Sequence, residues 1–265
     1  MAQKKVFIGV GHGGNDPGAV GYIEEADVNL VMAKACADYL KSRGVKVLMS
    51  RTKDENDDLN QEIRECNAFK PDLAIDVHNN AGRGDGAEFY YSIVAGLGKT
   101  LALNIEAEVK KIGQNSRGCK TKVGNGGADY YGFIRETVCP AVIIEGVFVD
   151  NKKDAAQADT VKEQQAFGVA YAKGILKTLG VADKATSTTT KTPSKTTNKT
   201  SNAKKAYLVK VTVPILNVRT GAGTNCAIAT TVKKNEVYTI VDESNGWGKL
   251  KSGAGWICLQ YTKKV

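Results

Sequence analysis

Over the first 180 residues, short runs rich in aliphatic residues alternate with longer segments whose apolar residues recur every three or four positions. Residues 6–10, 45–49, 73–77 and 141–144 have the length and aliphatic composition of strands buried on both faces. Between them, Val28, Val31, Met32, Ala35, Cys36, Tyr39 and Leu40 mark one face of a helix that Gly44 ends. Asp57 or Asp58 caps a second helix carrying Leu59, Ile63, Cys66 and Phe69, and Leu101, Ile105, Val109 and Ile112 mark a third. A last helix runs over roughly residues 160–179. This alternation predicts an α/β domain built on a mostly parallel twisted sheet with helices on both faces.

The pattern changes twice beyond that point. Residues 182–205, ADKATSTTTKTPSKTTNKTSNAKK, contain no large apolar side chain and cannot offset the entropy of ordering, so they read as a flexible linker. From Tyr207 onward, short β-branched runs at 207–213, 236–241 and 256–259 are broken by glycines, which predicts a small all-β barrel with Trp256 in its core. The expected division is therefore 1–181, 182–205 and 206–265.

Charge follows the same division. The chain of 265 residues carries a net +9, but residues 1–182 hold 23 basic and 24 acidic side chains whereas residues 183–265 hold 14 and 4. A basic C-terminal end points to a polyanionic contact, nucleic acid or an anionic wall polymer, or else to a solubilising tail. No apolar run approaches the length of a membrane span or of a signal-peptide core, so the expected protein is made in the cytoplasm without a signal peptide. The six cysteines show no metal-binding or redox spacing and are expected as free thiols.

The candidate chemistry sits at strand ends. The only two histidines, His12 and His78, each follow an apolar strand, and a third apolar strand ends in Glu145. Carboxyl ends of parallel strands open into the crevice where α/β proteins place their functional groups. Glu24 and Glu25, just before the first helix, bring a further carboxylate to the same rim. Two neutral imidazoles and one carboxylate are the ligand set of a catalytic zinc, and the remaining acid is then free to move protons. Residues 9–14 (GVGHGG) also match a dinucleotide-binding glycine fingerprint, but Asn15-Asp16-Pro17-Gly18 continues as a turn where that fingerprint needs a helix.

On these residues the sequence resembles the zinc-dependent N-acetylmuramoyl-L-alanine amidases of the family-3 type. The matching stretches span almost all of residues 5–180: GHGGNDPGAVG, EADVNL, SRT, RECNAF, IDVHNNA, GAEFYY and PAVIIEGVFVDN. The resemblance implies zinc ligands at His12, Glu25 and His78, with Glu24 the adjacent alternative to Glu25, and a catalytic Glu145. Asp76, Asn79 and Asn80 are candidates to orient ligands or substrate, and Arg64 and Glu88 match motif positions in structural roles. Residues 206–265 resemble a bacterial SH3-like (SH3b) domain through LNVRTGAGTN, NGWGKL and GWICLQY, which implies attachment to the cell wall; Tyr238, Trp247 and Tyr261 belong either to its core or to a face that contacts sugars and peptides.

Together these resemblances imply a peptidoglycan hydrolase that cuts the amide between N-acetylmuramic acid and L-alanine with a zinc-activated water. The expected partners are peptidoglycan and its anionic polymers, with neither nucleic acid nor membrane. A phage or prophage endolysin released at lysis fits an absent export signal better than a cellular autolysin. The alternatives are a non-catalytic wall-binding protein on an amidase scaffold and a zinc peptidase or deacetylase acting on the same polymer.

Overall fold

A computed structural model describes residues 3–184, 206–223, 226, 228–244 and 246–265. The chain divides into two compact units, Met1–Thr190 and Lys191–Val265. Most of the expected linker, from residue 185 on, lies outside the described residues.

The first unit runs β1 (Lys5–Val10), α1 (Glu25–Lys41), β2 (Lys46–Met49), α2 (Leu59–Phe69), β3 (Leu73–Asn80), β4 (Ala87–Tyr91), α3 (Gly96–Lys111), β5 (Ser116–Lys120), α4 (Gly132–Glu136), β6 (Ala141–Phe148), α5 (Lys152–Ala155) and α6 (Val161–Leu179). Its strands form one sheet in the order β2-β1-β3-β6-β4-β5. All neighbours are parallel except β4, which runs antiparallel to β6. The α2 cap falls to Asp58, whose side chain accepts from the Gln61 N–H, and Thr160 with Glu163 closes a reciprocal capping box on α6. Strands β4 and β5 are additions to the pattern read from sequence. AEFYY has a glutamate inside a five-residue run and SRGCK a single apolar side chain, so neither carries a buried-strand signature.

Side chains of successive strand residues alternate between two cores. Val6, Ile8, Ile75, Val77 and Ile144 pack against Met32, Cys36 and Leu40 of α1, Ile105 of α3 and Phe167 and Tyr171 of α6. On the opposite face Phe7, Ala74, Ala141 and Ile143 meet Ile63 and Cys66 of α2 and Phe133 and Ile134 of α4. These two helices have 11 and 5 residues, against 17, 16 and 19 for α1, α3 and α6. Their cluster ends at Ala74 and Ile143. The next residues on the same face, Asp76, His78 and Glu145, are left at the carboxyl rim.

The second unit contains β7 (Tyr207–Val211), β8 (Ile215–Arg219), β9 (Ile228–Lys233), β10 (Val237–Ser244), β11 (Trp247–Leu250), β12 (Trp256–Cys258) and β13 (Thr262–Lys264). They form one antiparallel sheet in the order β13-β7-β10-β11-β12-β8-β9 around Val209, Val211, Leu216, Val218, Val232, Ile240, Leu250 and Ile257. Trp256 corrects the expectation. Alternation along β12 turns Ile257 inward, leaving Trp256 half-buried with Lys249 Nζ 6.0 Å from its ring centre.

Candidate metal centre and active site

His12 stands two residues beyond β1 with φ of 65°, a left-handed conformation that a non-glycine residue adopts at a cost on the order of 1 kcal/mol. Three surroundings hold it there. Asp16, in the turn that excludes a nucleotide-binding helix, places Oδ2 2.8 Å from His12 Nδ1. Arg51, 2% exposed just after β2, donates from Nε to Val10 O at 3.0 Å and from Nη2 to Gly11 O at 3.2 Å and Ala26 O at 2.7 Å. Gly11 supplies room, because a Cβ there would lie 2.0 Å from His78 Cε1. The glycine cluster is thus a fit to the imidazoles.

Three donors converge at this point. Glu25, the first residue of α1 and 4% exposed, aims Oε1 at both rings, 3.2 Å from His12 Nε2 and 3.1 Å from His78 Nδ1. Its Oε2 accepts from the Ala19 N–H at 2.9 Å. Glu24, the other acid before α1, is the N-cap residue and makes no capping bond. Asn79 fixes the arrangement from the buried side. Its backbone N–H donates to Glu25 Oε1 at 3.1 Å, its Oδ1 accepts from the Val147 N–H at 3.0 Å and its Nδ2 donates to Asn29 Oδ1 at 2.7 Å. Asn29 Nδ2 in turn donates to Gly11 O at 3.0 Å, so one amide chain ties β3, β6, α1 and the His12 loop together.

The donor set fits a zinc ion. His12 Nε2, Glu25 Oε1 and His78 Nδ1 all lie within 4.8 Å of one another, and this is the one such cluster among the described residues. Tetrahedral zinc with bonds of about 2.0–2.1 Å separates its ligand atoms by about 3.3 Å, close to the two separations from Glu25. Each outer ring nitrogen faces a carboxylate, His12 Nδ1 on Asp16 and His78 Nε2 on Asp76 Oδ2 at 3.2 Å, which fixes the tautomers that leave the inner nitrogens free to ligate. The bond to Glu25 raises the pKa of His12. Burial pushes His78 down, but the charge and bond of Asp76 and the bond to Glu25 overcome it and hold His78 well above the ordinary imidazole value. Burial pushes Glu25 up, and its bonds to both rings outweigh that and leave it far below the usual carboxylate range. Two imidazoles that favour their protons around one carboxylate are what a divalent cation replaces, with the protons released.

Glu145 lies beside this centre. Parallel pairing sets it against His78, so both side chains share the open face, and its carboxyl makes no hydrogen bond or ion pair among the described residues. Burial pushes its pKa up to about 7. His12, His78, Asp16 and Asp76 line a cavity of about 280 Å³ closed by Leu59, Tyr131 and Phe133. A larger hollow of about 670 Å³ lies in the second unit, but no histidine or carboxylate lines it.

Sequence reasoning singled out His12, Glu25, His78 and Glu145, and the fold brings all four to one rim. Of the candidate orienting residues, Asp76 touches His78 and Asn79 touches Glu25, whereas Asn80 reaches Glu88 Oε2 at 3.4 Å. Arg64 is exposed on α2, and Glu88 is buried in an ion-paired cluster. Unforeseen were Asp16, Asp57 and Glu62. Burial lifts Asp57 to about 6 and Glu62 well above its ordinary value, and Glu62 Oε1 and Asp76 Oδ1 are buried without hydrogen-bond partners among the described residues. A glutamate in the polar half of a helix gives no sequence sign of facing inward; an aspartate four residues after a histidine across a glycine-rich turn does give one.

Known proteins carry the same architecture. The N-acetylmuramoyl-L-alanine amidase profile Amidase_3 matches residues 6–177, and a bacterial SH3 domain profile matches residues 215–262. The chain is 32% identical over 188 residues to the N-acetylmuramoyl-L-alanine amidase CwlM of Bacillus licheniformis, covering 69% of this chain and 72% of that protein. It is 34% identical over 201 residues to the endolysin of Bacillus phage SPP1, covering 71% of each. The catalytic domain of CwlV, an N-acetylmuramoyl-L-alanine amidase from Bacillus (Paenibacillus) polymyxa var. colistinus, superposes with a TM-score of 0.61 at 29% identity, covering 68% of this chain and 100% of that one. With its sheet, its donor cluster and this match over most of its length, the chain belongs to the N-acetylmuramoyl-L-alanine amidase family Amidase_3, followed by a bacterial SH3 domain.

Proposed function

We propose that the chain is a peptidoglycan hydrolase that cuts the amide between N-acetylmuramic acid and L-alanine, using zinc held by His12, Glu25 and His78. The observation that carries this reading is the convergence of those three donors beside Glu145, whose carboxyl makes no hydrogen bond or ion pair among the described residues, on the open sheet face. When bound, zinc supplies a Lewis acid for the amide oxygen and acidifies coordinated water from 15.7 towards ~7. The protein's own groups do the rest. Asp16 and Asp76 hold the two rings in register, and Asn79 and Asn29 keep Glu25 and the His12 loop in place. Glu145, with a pKa near 7, takes a proton from the attacking water and delivers it to the departing alanine nitrogen. No side-chain nucleophile is required.

The basic second unit is assigned to holding the enzyme on the wall, with domain limits at 1–181 and 206–265 on either side of the linker. The biological setting that best suits the chain is endolysin action, in which enzyme made in the cytoplasm reaches the wall at lysis. Mass spectrometry of fragments from a defined wall tests the reaction: lactyl ends paired with new alanine amino termini support it, and a cut inside the stem peptide or a deacetylated sugar overturns it. For the second unit, residues 206–265 alone should sediment with purified walls at low salt, and a folded domain that stays in the supernatant refutes anchoring.

A further inference from the structure

One row of side chains crosses the open face from the metal centre to the sheet edge. His78 of β3 pairs with Glu145 of β6, Glu145 with Glu88 of β4, and Glu88 with Gly118 of β5. Directly paired residues share a face, so the register orders imidazole, proton-transfer acid, Glu88 and then β5. Gly118 has no side chain, and the residues near it reach back over the row. Arg117 Nε lies 2.6 Å and Lys120 Nζ 2.7 Å from Glu88 Oε1, while Glu88 Oε2 accepts from the Tyr90 hydroxyl at 2.7 Å.

The charges do not cancel. One carboxylate, 5% exposed, anchors two cations. Arg117 engages it through Nε alone; its two Nη groups make no hydrogen bond among the described residues, and its side chain is 44% exposed. A guanidinium gripped at Nε, with Cζ 5.4 Å from the Phe148 ring centre and both Nη groups free of hydrogen bonds among the described residues, keeps a fork available to a carboxylate.

Given the amidase reading above, the direction of the substrate follows. Glu145 protonates the departing nitrogen, so the alanine lies on the Glu145 side of the centre and the stem peptide runs on towards β4 and β5. Neighbouring strands are about 4.8 Å apart, which puts β5 about 10 Å from β6, and an extended peptide advances about 3.4 Å per residue. A group on the second residue thus reaches about 7 Å, and the Arg117 side chain, folded back onto Glu88, spans the remainder. We propose that Arg117, with Lys120 beside it, forms an anion subsite for a carboxylate on the second residue of the stem peptide. A glutamate joined through its side-chain carboxyl, with its α-carboxylate free, is the chemical class that fits.

The test uses the full-length, zinc-loaded Glu145→Gln chain and two synthetic muropeptides identical except for a carboxylate or a primary amide at that α position. Calorimetric titration should give a Kd about tenfold lower for the carboxylate. Adding Arg117→Gln should bring the ratio to about two or less, and Arg117→Lys should restore part of it. Arg117 is exposed, and an unchanged melting temperature checks that the fold is intact. Equal Kd values in the Glu145→Gln chain, or a tenfold ratio that survives Arg117→Gln, overturn the subsite. Fragment analysis with the unsubstituted chain reports separately. A preserved ratio with cleavage elsewhere keeps the subsite and removes the amidase reading, whereas cleavage at the lactyl amide with equal affinities does the reverse.

Discussion

Replacing Arg51 by methionine keeps most of the side-chain volume and deletes the bonds that shape the His12 loop. Three of them are buried, to Val10 O, Gly11 O and Ala26 O, and a fourth, to Lys53 O at 3.3 Å, is only partly so. Hydrogen bonds from a charged donor contribute roughly 1.5–3 kcal/mol each, and each carbonyl left buried and unpaired costs about 1–3 kcal/mol. Against this stands the desolvation of a guanidinium whose pKa burial lowers and whose charge is opposed by Asp57, Asp54, Asp27 and Glu55 without a direct ion pair to any of them. The balance is a loss of roughly 3–5 kcal/mol. For a unit of this size, about 2–4 °C of melting temperature corresponds to each kcal/mol, so scanning calorimetry of the metal-free chain should show the first unit melting about 10 °C lower. Zinc competition titration should show affinity reduced about 10–100-fold as His12 relaxes from its left-handed conformation. A melting shift below about 2 °C with unchanged zinc affinity would refute the role given to Arg51.

Three further outcomes follow from the same geometry. Glu145→Gln should lower kcat on defined muropeptides by about 10²–10⁴-fold while leaving zinc content unchanged, and near-normal turnover would remove Glu145 from proton transfer. Asp16→Ala should weaken zinc binding by about 10–100-fold with little change in melting of the metal-free chain, since the aspartate is exposed and acts through His12 Nδ1. The metal-free protein should lose stability from pH 5 to pH 8. Glu145 is raised from 4.5 to about 7 and Asp57 from 3.8 to about 6, and both imidazoles are raised above 6.5, so every one of these groups binds its proton more tightly folded than unfolded. Stability held below the unfolded value is lost as pH climbs through the folded one, on the order of 3 kcal/mol for Glu145 alone. Denaturant midpoints that rise over this range contradict the assignment, and Glu145→Gln should flatten the slope.

Much of the site was legible in sequence because function at a parallel sheet concentrates at strand ends, and strands β1, β3 and β6 are buried on both faces. Their aliphatic runs mark the approach to the carboxyl rim, and so mark His12, His78 and Glu145, although β3 and β6 continue past the last two to Asn80 and Phe148. A carboxylate at the start of α1 was readable from the amphipathic helix as Glu24 or Glu25, and the family resemblance pointed to Glu25. Less visible was whatever depends on which side of an element faces inward. Asp57 precedes α2 and Glu62 lies in its first turn, both in a polar-looking stretch, yet Glu62 is 3% exposed because that helix covers the carboxyl rim of the open face. Strand β4 and the edge strand β5 lack an aliphatic run like those of β1, β3 and β6, and with them went the pairing that places Arg117 and Lys120 in line with the centre. In the second unit, Trp256 and Ile257 compete for one inward position, and composition does not say which alternation wins.

The proposed chemistry requires His12, Glu25 and His78 to form one metal centre, and zinc stoichiometry measures that directly. Elemental analysis after dialysis against a weak chelator should find about one zinc per wild-type chain and less than about a tenth of that in His12→Ala, Glu25→Ala and His78→Ala, each verified as folded by circular dichroism. Retention of a full equivalent by any folded member of that set, or none in the wild type, would contradict it.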